Sequence, residues 1–179
     1  MSPLIISHRG KINLGSPENV LIGIQEAIDL GVDMVEFDVR RTKDGYLVCH
    51  HDSTVDSKRV SDLNFCDLKE MKDSLCKLEE VISICKDKVG VNLEIKESGF
   101  EDEIVKKLTA HFSYDNIFVT SFSSFALRKI KSLDSKITTG LLVGDAINFQ
   151  VFYKIIKEAI FMTEFNYSKA DFISPFYKI

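Results

Sequence analysis

Two short runs in which charged and apolar residues alternate constrain this chain more than any other feature. In Met34–Val39, the side chains of Val35, Phe37 and Val39 fall on one face of an extended strand, and Glu36, Asp38 and the following Arg40 on the other. In Val91–Lys96, Val91, Leu93 and Ile95 oppose Asn92, Glu94 and Lys96 in the same way. A parallel sheet is covered on both faces, so its strands normally read as near-continuous apolar runs. Carboxylates on one face, near the C-terminal ends of separate strands, fit the mouth of a parallel barrel. An open doubly wound sheet would gather its chemistry at one switch point instead.

The order of elements agrees with a barrel. Strand runs at Leu4–His8, Met34–Val39, Tyr46–His51, Val91–Lys96, Ile117–Phe122, Thr138–Val143 and Phe172–Ser174 alternate with amphipathic segments. The first helix is expected from Ser16 as N-cap, with Pro17 at the first helical position, Glu18 in the first turn and Gly31 just past the end. Leu78/Val81/Ile82/Cys85, Ile104/Val105/Leu108/Phe112, Leu127/Ile130 and Val151/Phe152/Ile155/Ile156/Ala159 mark further helices. With 179 residues and no internal repeat or linker, residues 1–179 read as one domain. The fold class is α/β, an incomplete TIM-like barrel of about six parallel strands plus one hairpin strand.

That hairpin follows from Thr42-Lys43-Asp44-Gly45, which is too short for a helical crossover. With Asp44-Gly45 as a two-residue turn, Asp38 comes to lie opposite His51; a bulge would shift the register by one.

Composition excludes some partners. A net charge of −4 without a long basic run argues against nucleic acid. No stretch of about 18 apolar residues offers a membrane span, and no signal peptide precedes Leu4, so a cytoplasmic location is expected. The four cysteines (Cys49, Cys66, Cys76 and Cys85) form no CxxC pair and read most simply as reduced thiols, with pairing the alternative for an exported protein.

His8-Arg9-Gly10, Pro17-Glu18-Asn19, Glu36-Phe37-Asp38-Val39, Thr42-Lys43-Asp44-Gly45, His51-Asp52 and Glu94-Ile95-Lys96 occur in the order seen in glycerophosphodiester phosphodiesterases. The chain resembles that family from about residue 5 to 175. The resemblance implies that Glu36, Asp38 and Glu94 hold a divalent metal, and three carboxylates suit a hard ion, Mg²⁺ or Ca²⁺, better than zinc. It implies a small-molecule glycerophosphodiester substrate and His8 and His51 as the general acid–base pair, since imidazoles titrate near neutrality. Either water attacks phosphorus directly, or a glycerol hydroxyl attacks first and gives a cyclic phosphate. Arg9 and Lys96 are expected on the phosphate. Three carboxylates, one divalent ion and these two cations leave one positive charge for a phosphodiester monoanion. Asn19 is a further candidate for the site, His50 is expected to face outward or lie at the rim, and His111, which follows an amphipathic helix segment, is given no site role.

The chain also departs from the family pattern. The resemblance leads one to expect two more barrel strands after Phe176-Tyr177-Lys178-Ile179, and tryptophan is absent. The expected outcome is an open seam between the first and last strands. Self-association through that seam, or cover by a terminal segment, would follow, with modest activity. Two other functions compete with the hydrolase. A phospholipase D-like enzyme on lysophospholipids or sphingolipids would want an apolar mouth. An idle binding protein with an incomplete barrel would not need the intact set of carboxylates and histidines.

Overall fold

A computed structural model describes residues 3–13, 15–144 and 161–175. β1 (Ile6–Ser7) runs parallel to β2 (Met34–Arg41), and the 3-10 turn His8–Gly10 leads from it towards α1 (Leu21–Asp29). β3 (Leu47–Cys49) returns antiparallel along β2. A small hairpin of β4 (Thr54–Val55) and β5 (Lys58–Arg59) follows, then α2 (Phe65–Met71) and α3 (Leu78–Cys85). The chain continues through β6 (Gly90–Ile95), α4 (Glu101–Thr109), β7 (Ile117–Ser121), α5 (Ser124–Leu133) and β8 (Thr138–Val143). α6 (Thr163–Ser168) and β9 (Phe172–Pro175) end the described part.

The sheet order is β1-β2-β6-β7-β8-β9, all parallel, with β3 added beside β2. This is the expected six parallel strands plus a hairpin strand, curled into a TIM-like half-barrel. Val35, Phe37, Val39, Val91, Leu93 and Ile95 point outward and pack against Ile24, Leu78, Ile104, Leu108, Leu127 and Ile130 of the helices. Each such fully buried aliphatic side chain contributes about 1.5–3 kcal/mol relative to exposure. Apolar residues thus take the helix-covered face, and the alternation in β2 and β6 leaves the charged residues facing the barrel interior.

Three expectations require correction. Val39 pairs with Cys49 and Arg40 with Val48, so Asp38 stands opposite His50, not His51. The turn closes between Thr42 and Tyr46, with Gly45 in the left-handed region, which makes a three-residue loop instead of two. The first helix begins at Leu21 instead of just after Ser16, because Asn19 adopts φ 58° and is pulled inward, away from helical geometry. The segment between His51 and β6 carries its own small structure. β4, β5 and α2 enclose a second small core of Val48, Val55, Val60, Leu68 and Leu75. Asp56 and Ser57 both take positive φ at that hairpin, and neither is the glycine that usually signals it. The helix read at Val151–Ala159 lies outside the described residues, as do Phe176 and Tyr177.

The loop after β1 is held by two glycines. Arg9 and Gly10 take consecutive left-handed conformations, φ 57° and 65°. A Cβ on Gly10 would lie 2.6 Å from Ile24 Cγ1, and one on Gly23 would lie 2.7 Å from the Gly10 carbonyl oxygen. The turn carrying His8 and Arg9 therefore sits directly on α1. Gly10→Ala should lower the unfolding free energy by roughly 2–4 kcal/mol, combining the left-handed penalty with overpacking. Urea titration would measure this, and a loss below about 0.5 kcal/mol, the range of ordinary surface changes, would contradict the close packing.

Candidate active site

Register explains the central cluster. Asp38 and Glu94 are Cα partners across β2 and β6, and Glu36 lies one inward position below Asp38. Single carboxylate oxygens of Glu36, Asp38 and Glu94 all come within 4.8 Å of one another, and all three residues are buried. Burial, aided by the neighbouring Asp38 charge, pushes the Glu36 carboxyl up to about 8. Burial likewise raises Glu94 to about 7 against the pull of Lys96. Burial acts on Asp38 too, but Lys96 and the Asn19 amide outweigh it and hold this carboxyl below its usual range.

Cations and donors crowd the cluster. Lys96 Nζ lies 2.6 Å from Glu94 Oε1 and 2.9 Å from Asp38 Oδ1. Even so, Asp38 Oδ1 accepts no well-directed hydrogen bond, although it is buried. The Arg9 backbone N–H donates to Glu36 Oε2 at 2.7 Å. Arg9 Nη1 alone donates to both Glu18 oxygens, at 3.0 and 3.1 Å, and the Arg9 Nε, 3.5 Å from Asp38 Oδ2, has no hydrogen-bond partner. Lys11 approaches Glu18 at 3.7 Å.

Three buried carboxylates in contact, with one oxygen unsatisfied, are a donor set that can hold a divalent metal. Uncompensated charge of this density is costly in a protein interior.

The two histidines flank the cluster. His8, in the turn after β1, is largely exposed, with Nε2 3.9 Å from Glu36 Oε2. Partial desolvation and the Arg9 charge hold its pKa below the ordinary value. His51 Nδ1 is 2.8 Å from Asp52 Oδ1, and Asp52 is held below the usual carboxylate range by that bond. An ionised carboxylate only accepts, so Nδ1 carries the hydrogen and Nε2 is left for chemistry. His8, Arg9, Glu36, His51, Glu94 and Lys96 all line one cavity of about 840 Å³. Its far wall includes Thr120, Phe122, Leu142, Ser174 and Pro175.

Asn19 has a different place from the one a ligand contact would need. It is 1% exposed, its Oδ1 accepts from the Asp38 backbone N–H at 3.0 Å, and its Nδ2 donates to Asp38 Oδ2 at 2.8 Å. It orients a carboxylate from behind. His50 turns away from the cavity, with Nε2 3.1 Å from the Thr54 carbonyl and Nδ1 3.2 Å from Lys72 Nζ. Sequence reasoning gave Glu18 only a place in a first helical turn, and no role to Asp52, Arg40 or Glu97. Signals existed for three of them: Glu18 and Asp52 sit inside quoted motifs, and Arg40 continues the inward alternation of β2. Glu18 with Lys11, and Arg40 with Glu97 at 3.3 Å, enter the site as balanced pairs, whereas Asp52 adds a negative charge that the tally from sequence left out.

Removing one crowded charge should separate stability from metal binding. In chelator at neutral pH, Glu36→Gln should raise the unfolding free energy by roughly 1–3 kcal/mol, since Gln is spared the cost of taking up a proton on folding that the raised Glu36 carboxyl carries. A divalent cation should stabilise the parent by mass action but leave the variant's melting midpoint unmoved. A variant less stable than the parent, or equally responsive to the ion, would contradict the crowding argument.

The comparisons with known proteins fit this geometry. The sequence profile of the glycerophosphoryl diester phosphodiesterase family matches residues 8–175. A glycerophosphodiester phosphodiesterase of Caldanaerobacter subterraneus is 31% identical over 164 residues, covering 79% of this chain and 67% of that protein. Among solved structures, a glycerophosphodiester phosphodiesterase from Thermotoga maritima superposes with a TM-score of 0.72 at 22% identity. That match covers 100% of this chain and 88% of the other. A phosphodiesterase from Oleispira antarctica, in complex with the product sn-glycerol-3-phosphate, gives a TM-score of 0.71 at 24% identity. There the coverage is 98% of this chain and 85% of that one. The chain spans about two thirds of the length of the first curated relatives it matches. It belongs to the glycerophosphoryl diester phosphodiesterase family.

Proposed function

We propose that this chain hydrolyses glycerophosphodiesters to glycerol 3-phosphate and an alcohol, using Mg²⁺ or Ca²⁺ held by Glu36, Asp38 and Glu94. The observation that carries the reading is the meeting of three buried carboxylates, two histidines and two cations at one cavity. Residues 1–179 act in it as a single catalytic domain. A hard divalent ion, when bound, supplies electrophilic stabilisation of the phosphoryl oxygens. Arg9 contributes an unsatisfied Nε donor and Lys96 a point charge beside the same oxygens. One imidazole takes the proton of the attacking hydroxyl or water, and the other gives a proton to the departing alkoxide as its P–O bond breaks. Asp52 keeps His51 in the tautomer whose Nε2 can do either.

The phospholipase D-like alternative draws on Phe122, Leu142 and Pro175 in the cavity wall, and a comparison of glycerophosphocholine with a lysolipid distinguishes the two. Among the described residues no helix is long and apolar enough to cross a membrane. Reduced Cys49, Cys76 and Cys85, all buried, suit a reducing compartment such as the cytoplasm.

Chelation should abolish release of glycerol 3-phosphate, and Mg²⁺ or Ca²⁺ should restore it; full turnover in a metal-stripped sample would overturn the assignment. His8→Ala and His51→Ala should each lower kcat by about 10²–10⁴-fold, the span of a lost acid or base. Near-normal turnover in one of them removes that histidine from the mechanism.

Self-association is a separate proposal. Leu4, Ile5 and Ile6 are exposed beside β1, whose pairing to β2 covers only two residues. Exposed apolar edges invite pairing with a second copy. Sedimentation should find a dimer that Ile5→Lys dissociates, and a monomeric parent would refute this.

A further inference from the structure

β3 ends at Cys49, and the last ladder hydrogen bond runs from the His50 N–H to the Asp38 carbonyl at 3.1 Å. His51 lies one residue beyond, where no strand partner remains for its carbonyl. Arg40 takes that place. Its Nε and Nη2 both donate to the His51 carbonyl oxygen, at 3.0 and 2.8 Å. The remaining nitrogen, Nη1, reaches Glu97 Oε2 at 3.3 Å, while Glu97 Oε1 accepts from the Arg41 N–H at 2.9 Å. All three guanidinium nitrogens are thus engaged, and the Arg40 side chain is 12% exposed.

The other restraint on His51 is weaker. Its ring is held by Asp52, whose side chain is 71% exposed; such a pair can set the tautomer but does little to fix where the ring stands. The backbone anchor therefore decides where the imidazole stands. We propose that Arg40 is a positioning residue for His51, its planar fork locking the His51 carbonyl to β2 and, through Glu97, to the loop after β6. A lysine could not reproduce two converging donors on one oxygen. The proposal rests on the reading of His51 as an acid–base group.

The test compares the parent, Arg40→Ala and Arg40→Lys on glycerophosphocholine with Mg²⁺ present. In parallel, the imidazole Cε1–H signal of His51, assigned by its loss in His51→Ala, is followed by NMR. Arg40→Ala should lower kcat by about 10²-fold, the usual result of an ångström-scale misplacement. Its KM should stay within about threefold of the parent, because substrate binding itself is not removed. Arg40→Lys should recover little of the rate. The His51 signal should split or broaden in both variants while that of the distant His111 stays unchanged. A raised KM with normal kcat would make Arg40 a phosphate contact and overturn the proposal, as would an unperturbed His51 signal. If the parent itself releases no glycerol 3-phosphate, the phosphodiesterase reading fails, and the NMR comparison alone still decides whether Arg40 places His51. If circular dichroism finds Arg40→Ala unfolded, Arg40→Lys decides by the same two readouts.

Discussion

The site depends on how one gap in the edge of β2 is filled. β1 pairs only with Met34 and Val35, and β3 pairs only from Val39 onward. The stretch between them faces the turn after β1 instead of a strand, and a buried backbone N–H there needs a partner. Asn19 supplies it for Asp38, and the Arg9 N–H takes the Glu36 carboxylate in the same interval. Asn19 is itself fixed by its N–H to the Arg9 carbonyl at 2.9 Å, and the Cys76 thiol donates to its carbonyl at 3.5 Å. A short β1 is therefore useful to the site. Had it continued past Ser7, a strand would occupy the space from which Asn19 and Arg9 address the carboxylates.

The electrostatics follow from this arrangement. Glu36 and Glu94 are both raised by burial, whereas Asp38, with an amide and a lysine upon it, stays acidic. One dependable anion flanked by two reluctant ones concentrates negative charge that only a cation can relieve. Lys96 relieves part of it, touching Asp38 and Glu94 but not Glu36. Glu36 instead has the Arg9 N–H and, farther off, His8. The cluster is thus asymmetric, with lysine on the β6 side and a histidine on the β1 side.

Much of this was legible in the sequence because it depends on period. Alternation in Met34–Val39 and Val91–Lys96 put Glu36, Asp38 and Glu94 on one face, and parallel register then made Asp38 and Glu94 neighbours. What escaped depends on local backbone geometry that periodicity does not encode. Asp44-Gly45 signalled a hairpin, but the three-residue loop with Gly45 in the left-handed region shifted His51 off Asp38. Ser16-Pro17-Glu18 has every mark of a helix start, yet tertiary demand on Asn19 delayed the helix to Leu21. The same demand turned Asn19 from a candidate ligand contact into a support for Asp38. Arg40 was read as facing inward, but its partner is a carbonyl freed by the end of a strand, and strand ends are the least predictable part of a sequence reading.

Chemistry and shape are also divided along the chain. Every carboxylate, histidine and cation assigned to the reaction lies before β7, between His8 and Lys96. The later strands supply Thr120, Phe122, Leu142, Ser174 and Pro175, neutral side chains that form the wall of the same cavity. Gly140 shows how closely that wall is built: a Cβ there would lie 2.3 Å from the ring of Phe172 on β9. Substitutions in the early strands should therefore alter whether bonds are broken, through charge and proton transfer. Those in the later strands should alter which alcohol is accommodated, through volume and polarity. A half-barrel can keep the first property while varying the second, because β2 and β6 hold the carboxylates in register through their own ladder, whatever stands opposite them.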